Sequence, residues 1–71
     1  VECDNQQEID LYWAKLTENG GMESQCGWLK DKFGFSWQII PKNISSLISN
    51  PKATEALMQM KKIDIQTLEN A

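Results

Sequence analysis

Several residue types that carry chemistry in small proteins are scarce or absent in this chain of 71 residues. It has no histidine and no arginine, since all seven of its basic residues are lysines. Without histidine the chain lacks the commonest metal ligand and the usual general base near neutral pH. A Cys-His or Ser-His-Asp nucleophile system built within this chain alone is therefore excluded.

Clusters of positive charge and long apolar runs are missing as well. Ten acidic residues leave a net charge of −3, and no basic cluster is present that could neutralise a run of phosphates. The longest apolar runs are far shorter than the ~20 residues that a membrane-spanning helix needs, and no signal segment opens the chain. We therefore expect a cytoplasmic protein that binds neither nucleic acid nor membrane.

Cysteine is limited to Cys3 and Cys26. Two are too few for the disulfide framework of small secreted domains, so the sequence favours two reduced thiols, although it is compatible with one bridge. A domain of this size buries only about 60% of the surface of its unfolded chain. We therefore expect a single domain, residues 1–71, with a small core that needs a partner.

The first part of the chain predicts a strand followed by an amphipathic helix. Val1 to Cys3 has the composition of a strand, and a strand at this position means either that the domain starts abruptly or that the chain is part of something longer. Asp4 and Gln7 have the spacing of a capping box. Apolar residues then recur at the spacing of one helix face between residues 5 and 18: Ile9, Tyr12, Trp13 and Leu16.

The stretch from Gln25 to Pro41 predicts a hairpin. We expect one strand over residues 22–30, a turn at residues 31–34 and a returning strand over residues 35–40. Alternation turns Phe35, Trp37 and Ile39 toward the helix, so we assign Phe35 and Trp37, together with Trp13, to the core. The opposite face then carries the candidate ligand-binding residues Cys26, Trp28, Ser36, Gln38 and Ile40.

After Pro41 the apolar spacing is helical. A break at Asn50-Pro51 separates two amphipathic segments, and Asp64 is placed to cap a last short helix. The order of strand, helix, strands and helices predicts an α+β fold in which an antiparallel hairpin is backed by helices.

The chain resembles a known family at several motifs: Cys3-Asp4-Asn5-Gln6, Tyr12-Trp13, Gln25 to Asp31, Phe33-Gly34, Trp37-Gln38-Ile39 and Met60 to Ile65. These are similar to the C-terminal half of PhnB-like proteins, also described as 3-demethylubiquinone-9 3-methyltransferase domains, of the vicinal oxygen chelate (glyoxalase/bleomycin-resistance) superfamily. The resemblance implies one βαβββ module followed by C-terminal helices. It also implies a cavity that a second module or another subunit completes, with a homodimer as one arrangement.

The resemblance places Gln38, four residues after Gly34, where metal-using relatives carry a carboxylate for a divalent cation. A neutral amide coordinates more weakly, so Gln38 is either a metal ligand or a cavity amide that bonds a ligand, a water or a neighbouring strand. Trp28 either contacts a ligand or belongs to a core or subunit interface. Cys26 is interpreted as a small buried hydrophobe rather than a nucleophile. Lys30 and Lys32 are assigned to the solvated surface.

Three functions follow from this sequence. The first is a module that binds a small-molecule ligand, the second a divalent-metal-dependent enzyme of the lyase, isomerase, transferase or dioxygenase type, and the third a structural module whose sheet face is used by a subunit interface. An adenosylmethionine site is not indicated, because Gly20-Gly21 follows a helix and precedes a strand, which is the wrong context for a cofactor-binding loop.

Overall fold

A computed structural model describes residues 1–71 and has the mixed α+β composition that the sequence predicts. Its strands are β1 (Glu2–Cys3), β2 (Met22–Glu23), β3 (Trp28–Lys30), β4 (Ser36–Gln38) and β5 (Ile40–Pro41). Its helices are α1 (Gln6–Thr17), α2 (Ile44–Leu47), α3 (Pro51–Met58) and α4 (Ile65–Glu69), with a 3₁₀ turn at Glu18–Gly20. No helix is long and apolar enough to cross a membrane.

The strands follow the βαβββ order. β2, β3 and β4 form an antiparallel meander, and β1 pairs in parallel with β5. Only Ile39 separates β4 from β5, and its N–H donates to the carbonyl of Gly27 at 2.8 Å. β4 and β5 are therefore two halves of one extended segment that joins the meander to β1.

Helix α1 begins one residue later than the sequence predicted. Asn5 is its N-cap, and the side chain accepts from the N–H of Glu8 at 2.9 Å, while Glu8 Oε1 accepts from the N–H of Asp4 at 2.7 Å. The capping pair is thus Asn5 with Glu8, rather than Asp4 with Gln7. The predicted end is confirmed, because Asn19 and Gly20 adopt the left-handed conformations that terminate helices.

The main core lies between α1 and the sheet. It consists of five buried residues, with Leu16 and Ile65 packed against them: Cys3, Ile9, Trp13, Leu29 and Ile39. The assignment of Trp13 to the core is therefore confirmed. Burial, together with the nearby Glu8 carboxylate, raises the pKa of the Cys3 thiol.

The assignment of Phe35 and Trp37 to the core was wrong. Their exposed fractions are 67% and 40%, and Tyr12 on α1 is also exposed. Helix α1 packs chiefly against β1, β3 and β5, so it leaves the helix-side face of β4 uncovered. Phe35 lies in the turn before β4, where strand alternation does not apply.

The predicted strand over residues 22–30 is interrupted. Cys26 has a φ of +59° and Gly27 a φ of +83°, so the chain turns between β2 and β3. In this turn the N–H groups of Cys26 and Gly27 point away from the sheet and donate to the carbonyls of Met60 and Lys61, each at 2.8 Å. The C-terminal segment is thereby fixed to the sheet.

The C-terminal helices start where the sequence predicts. Asn50 caps α3, with Pro51 in its first turn, and Asp64 caps α4 by accepting from the N–H of Thr67. Between α3 and α4 the chain crosses α1, where the amide of Gln6 donates to the carbonyl of Ile63 at 3.0 Å and accepts from the N–H of Ile65 at 2.8 Å. One side chain therefore satisfies two backbone groups of the crossing segment.

Gly27 is the point of closest approach between the turn and this segment. A Cβ at residue 27 would lie 2.8 Å from the carbonyl oxygen of Ile39 and 2.9 Å from Cδ1 of Ile63, which is fully buried. Gly34 has a similar φ of +87°, but a Cβ there would meet nothing within 4 Å.

This pair of glycines allows a matched test. We expect Gly27→Ala to lower the free energy of unfolding by about 2–4 kcal/mol, because it adds overpacking to the cost of a left-handed backbone. Gly34→Ala should cost only the backbone contribution, about 1–2 kcal/mol. Urea unfolding of both variants measures the difference, and equal losses would show that the close contacts with the Ile39 carbonyl and the Ile63 side chain contribute nothing.

Candidate functional site

The outer face of the three-stranded meander is the face that points away from α1. Leu29 is buried beneath the helix, so its neighbours Trp28 and Lys30 project to the opposite side. Cross-strand register pairs Trp28 with Gln38, and Lys30 with both Ser36 and Met22. We call this set the outer face: Met22, Trp28, Lys30, Ser36 and Gln38.

The structure brings together three of the five residues that the sequence predicted as ligand-binding. Trp28, Ser36 and Gln38 share the outer face. Cys26 lies in the turn, and its carbonyl accepts from Nε2 of Gln38 at 3.3 Å, so it adjoins this face through its backbone. Ile40 is half-buried in β5, opposite Glu2 of β1, and lies beyond the meander.

Two further residues lie on the outer face. Lys30 is exposed, as the sequence predicts, and alternation within β3 puts it on the same side as Trp28. Met22 was not singled out, and it is 68% exposed. The signal for Lys30 was present in the sequence, whereas Met22 could be placed only from its register opposite Lys30.

The three tryptophans differ in the hydrogen bonding of their indole N–H groups. Trp13 donates to Oε1 of Glu23 at 3.1 Å, and Trp37 donates to Oδ2 of Asp31 at 2.8 Å. Trp28 is 45% exposed, and its indole N–H has no acceptor within the chain. On the outer face, Trp28 therefore offers both an apolar ring and a free donor.

The outer face is an open surface, since both depressions of the chain lie elsewhere. One of about 120 Å³ is bounded by the end of α1 and the hairpin turn, with Lys15 and Phe33 among its lining residues. The other, of about 500 Å³, is polar and lies where α1 and α4 begin, with Asn5 and Asp64 among its lining residues. Neither depression includes Trp28 or Gln38.

The surroundings of Gln38 do not fit a divalent cation. Its amide nitrogen is bonded to the carbonyl of Cys26, and its neighbours on the outer face are Trp28 and Ser36. Hard cations take several oxygen ligands, usually including carboxylates, and no carboxylate lies on this face. Gln38 as a metal ligand therefore stays a prediction that would require donors from outside this chain.

Both cysteines are free. Cys3 is part of the core, whereas Cys26 is half-buried and adopts a left-handed backbone conformation at the turn. Cys26 forms its hydrogen bonds through the backbone: its N–H donates to the carbonyl of Met60, and its carbonyl accepts from the side-chain amide of Gln38.

The hairpin turn is organised by Asp31. Its Oδ1 accepts from the N–H groups of Phe33 and Phe35 at 2.9 and 3.0 Å, while Oδ2 accepts from the Trp37 indole. The indole, aided by these backbone donors, holds the pKa of the Asp31 carboxyl below its ordinary value.

The strand order and the exposed sheet face define the class of this protein: a βαβββ module with one open, partly apolar sheet face. The comparison with protein families agrees with this class. The model of the 3-demethylubiquinone-9 3-methyltransferase family matches residues 1–40, from β1 through the first residue of β5. The chain belongs to this family, and the resemblance to PhnB-like proteins is confirmed.

The family match covers the βαβββ module and stops before the C-terminal helices. The similarity noted at Met60 to Ile65 lies outside the matched residues. No curated protein matches this chain.

The Asp31–Trp37 contact predicts a pH-dependent signal. Because the folded-state pKa is lowered, the carboxylate stabilises the turn above the ordinary aspartate pKa of about 3.9, and this contribution is lost as the pH falls through the lower folded value. We expect an acid-induced step in tryptophan fluorescence with its midpoint below 3.9. Asp31→Asn should remove the step, since an amide does not titrate in this range, and Trp37→Phe should remove it as well, since the ring then has no N–H to donate to the carboxylate. A midpoint at or above 3.9 would contradict the assignment.

Proposed function

We propose that this protein is a small-molecule-binding module in which the outer face forms one wall of a cavity and another module or subunit forms the opposite wall. The main support for this proposal is the Trp28–Gln38 pair, in which an exposed ring with a free N–H lies opposite a side-chain amide on the neighbouring strand. An apolar surface with a few converging polar groups is the usual composition of ligand pockets.

The hydrogen bonding of the two residues supports this role. Nε2 of Gln38 is held by the carbonyl of Cys26, which fixes the direction of the amide. Its Oε1 remains as an acceptor, and Trp28, which carries a free donor, is its partner across the strands. The pair therefore presents a held acceptor and a donor on the same face, which suits the orientation of a ligand.

A partner is part of the proposal because the wall is open on its own. Trp28 and Met22 retain much of their exposure, and ligand pockets bury most of a ligand's surface. The family module is completed by a second module or subunit according to the resemblance given above, and a homodimer is the simplest such assembly.

Two other activities receive less support. Metal-dependent catalysis would need ligands beyond Gln38, and the outer face supplies no carboxylate for it. Methyl transfer, which the family description names, would need a glycine-rich loop between a strand and a helix, and Gly20-Gly21 instead connects the end of α1 to β2.

The proposal is tested by comparing two tryptophans on opposite sides of the hairpin. A fragment library is screened by ligand-observed NMR against the unmodified protein, Trp28→Ala and Trp37→Ala. We expect Trp28→Ala to stay folded and to lose the hits, because ring stacking contributes about 0.5–1.5 kcal/mol beyond area burial. Trp37→Ala should retain them. Unfolding of Trp28→Ala would assign Trp28 to structure, and equal loss in both variants would contradict the proposed wall.

Quenching by acrylamide separates a ligand-binding wall from a subunit interface. We expect the Trp28 contribution, obtained as the difference between the unmodified protein and Trp28→Phe, to stay accessible across a dilution series followed by sedimentation. Complete protection of Trp28 in an assembled state would instead assign the outer face to the interface.

A further inference from the structure

The five residues of the outer face carry one positive charge and no negative charge, and an exposed acid on the same side of the sheet, Glu2, lies beyond them on β1, opposite Ile40. Lys30 is its one ionisable residue, and neither ion pair of the chain uses it, since these join Lys42 to Asp4 and Lys62 to Asp10. The chain as a whole has a net charge of −3, so this face departs from the average surface. Glu23, the nearest acid in the meander, pairs with Leu29 on the helix side and binds the Trp13 indole.

The polar and aromatic groups of this face lie in two successive rows. In one row, Lys30 is paired with Ser36, whose hydroxyl can donate to the same acceptor as the ammonium group. In the next row, Trp28 is paired with Gln38. Paired side chains start about 5 Å apart, and the rows are separated by about 6.5 Å along the strand.

These rows specify two ends of a ligand. An anionic group fits against Lys30 and Ser36, where a charge-assisted hydrogen bond is available. A planar ring fits against Trp28, where stacking favours aromatic surface. The long, flexible stem of Lys30 can span the separation between the rows, so its ammonium group can reach an acidic group attached to a ring that lies on Trp28.

We propose that the outer face selects small aromatic acids, with Lys30 as the residue that recognises the acidic group. This inference rests on the proposed function, because it names the ligand class of the same wall. Lys32 provides a matched control, since it lies two residues further along, in the turn, with its Nζ 5.3 Å from the centre of the Phe33 ring.

The test uses 1-naphthoate and its neutral counterpart 1-naphthamide as probes. Both are titrated into the unmodified protein, Lys30→Gln and Lys32→Gln at low salt, with binding followed by ligand-observed NMR. We expect the unmodified protein to bind the naphthoate roughly two- to fivefold more tightly than the amide, the range for an exposed ion pair. This preference should vanish in Lys30→Gln, persist in Lys32→Gln and shrink as salt is added.

The other outcomes have distinct meanings. Equal binding of both probes, lost in Trp28→Ala, would overturn the charge selection and leave the proposed function intact. A preference that survives Lys30→Gln, or that Lys32→Gln removes equally, would overturn the assignment of Lys30. Failure of both probes to bind would overturn the aromatic-acid class, while the fragment screen decides the proposed function independently.

Discussion

The close approach of the segment between α3 and α4 to the turn before β3 is the constraint on which the rest of the fold depends. Gly27 leaves room for the side chain of Ile63, and the adjacent backbone carbonyls of Met60 and Lys61 accept the N–H groups of the turn. Gln6 holds the same segment from the side of α1. Sheet, first helix and C-terminal helices therefore meet at one place, which gives a small chain a second buried region beside its main core.

This constraint also determines which face of the meander stays open. The left-handed conformations of Cys26 and Gly27 interrupt the strand after β2 and determine which residues of β3 face the helix. Leu29 therefore lies in the core, and Trp28 points outward. A shift of one residue would exchange them. Because the core takes its largest side chain from α1, as Trp13, the exposed ring of Trp28 is not needed for packing against the helix. The same local geometry thus supports the fold and leaves one tryptophan available for binding.

Much of the fold could be predicted from the sequence because its signals are local. The cap at Asp64 and the break at Asn50-Pro51 depend on neighbouring residues only. The core assignment of Trp37 failed because alternation tells which side of a strand a residue faces, but not how far the helix reaches across the sheet, and that of Phe35 failed because this residue precedes the strand. Likewise, Trp28, Ser36 and Gln38 could be grouped by parity, whereas the interruption at Cys26 depends on a contact with residues more than thirty positions away.

The indole N–H groups provide the strongest physical distinction among the aromatic residues. A donor that faces a carboxylate within its own chain is already satisfied, as in Trp13 with Glu23 and Trp37 with Asp31. The donor of Trp28 has no such partner, although β3 lies between the two strands that carry these other contacts. Glu23 and Asp31, the acids of the meander and its turn, are bonded to the indoles of Trp13 and Trp37. Neither of them bonds the Trp28 indole or the Lys30 ammonium group, so both groups are available to an acidic ligand that reaches the outer face. The proposed recognition of an external acid on this face therefore rests on where the internal acids are already bonded.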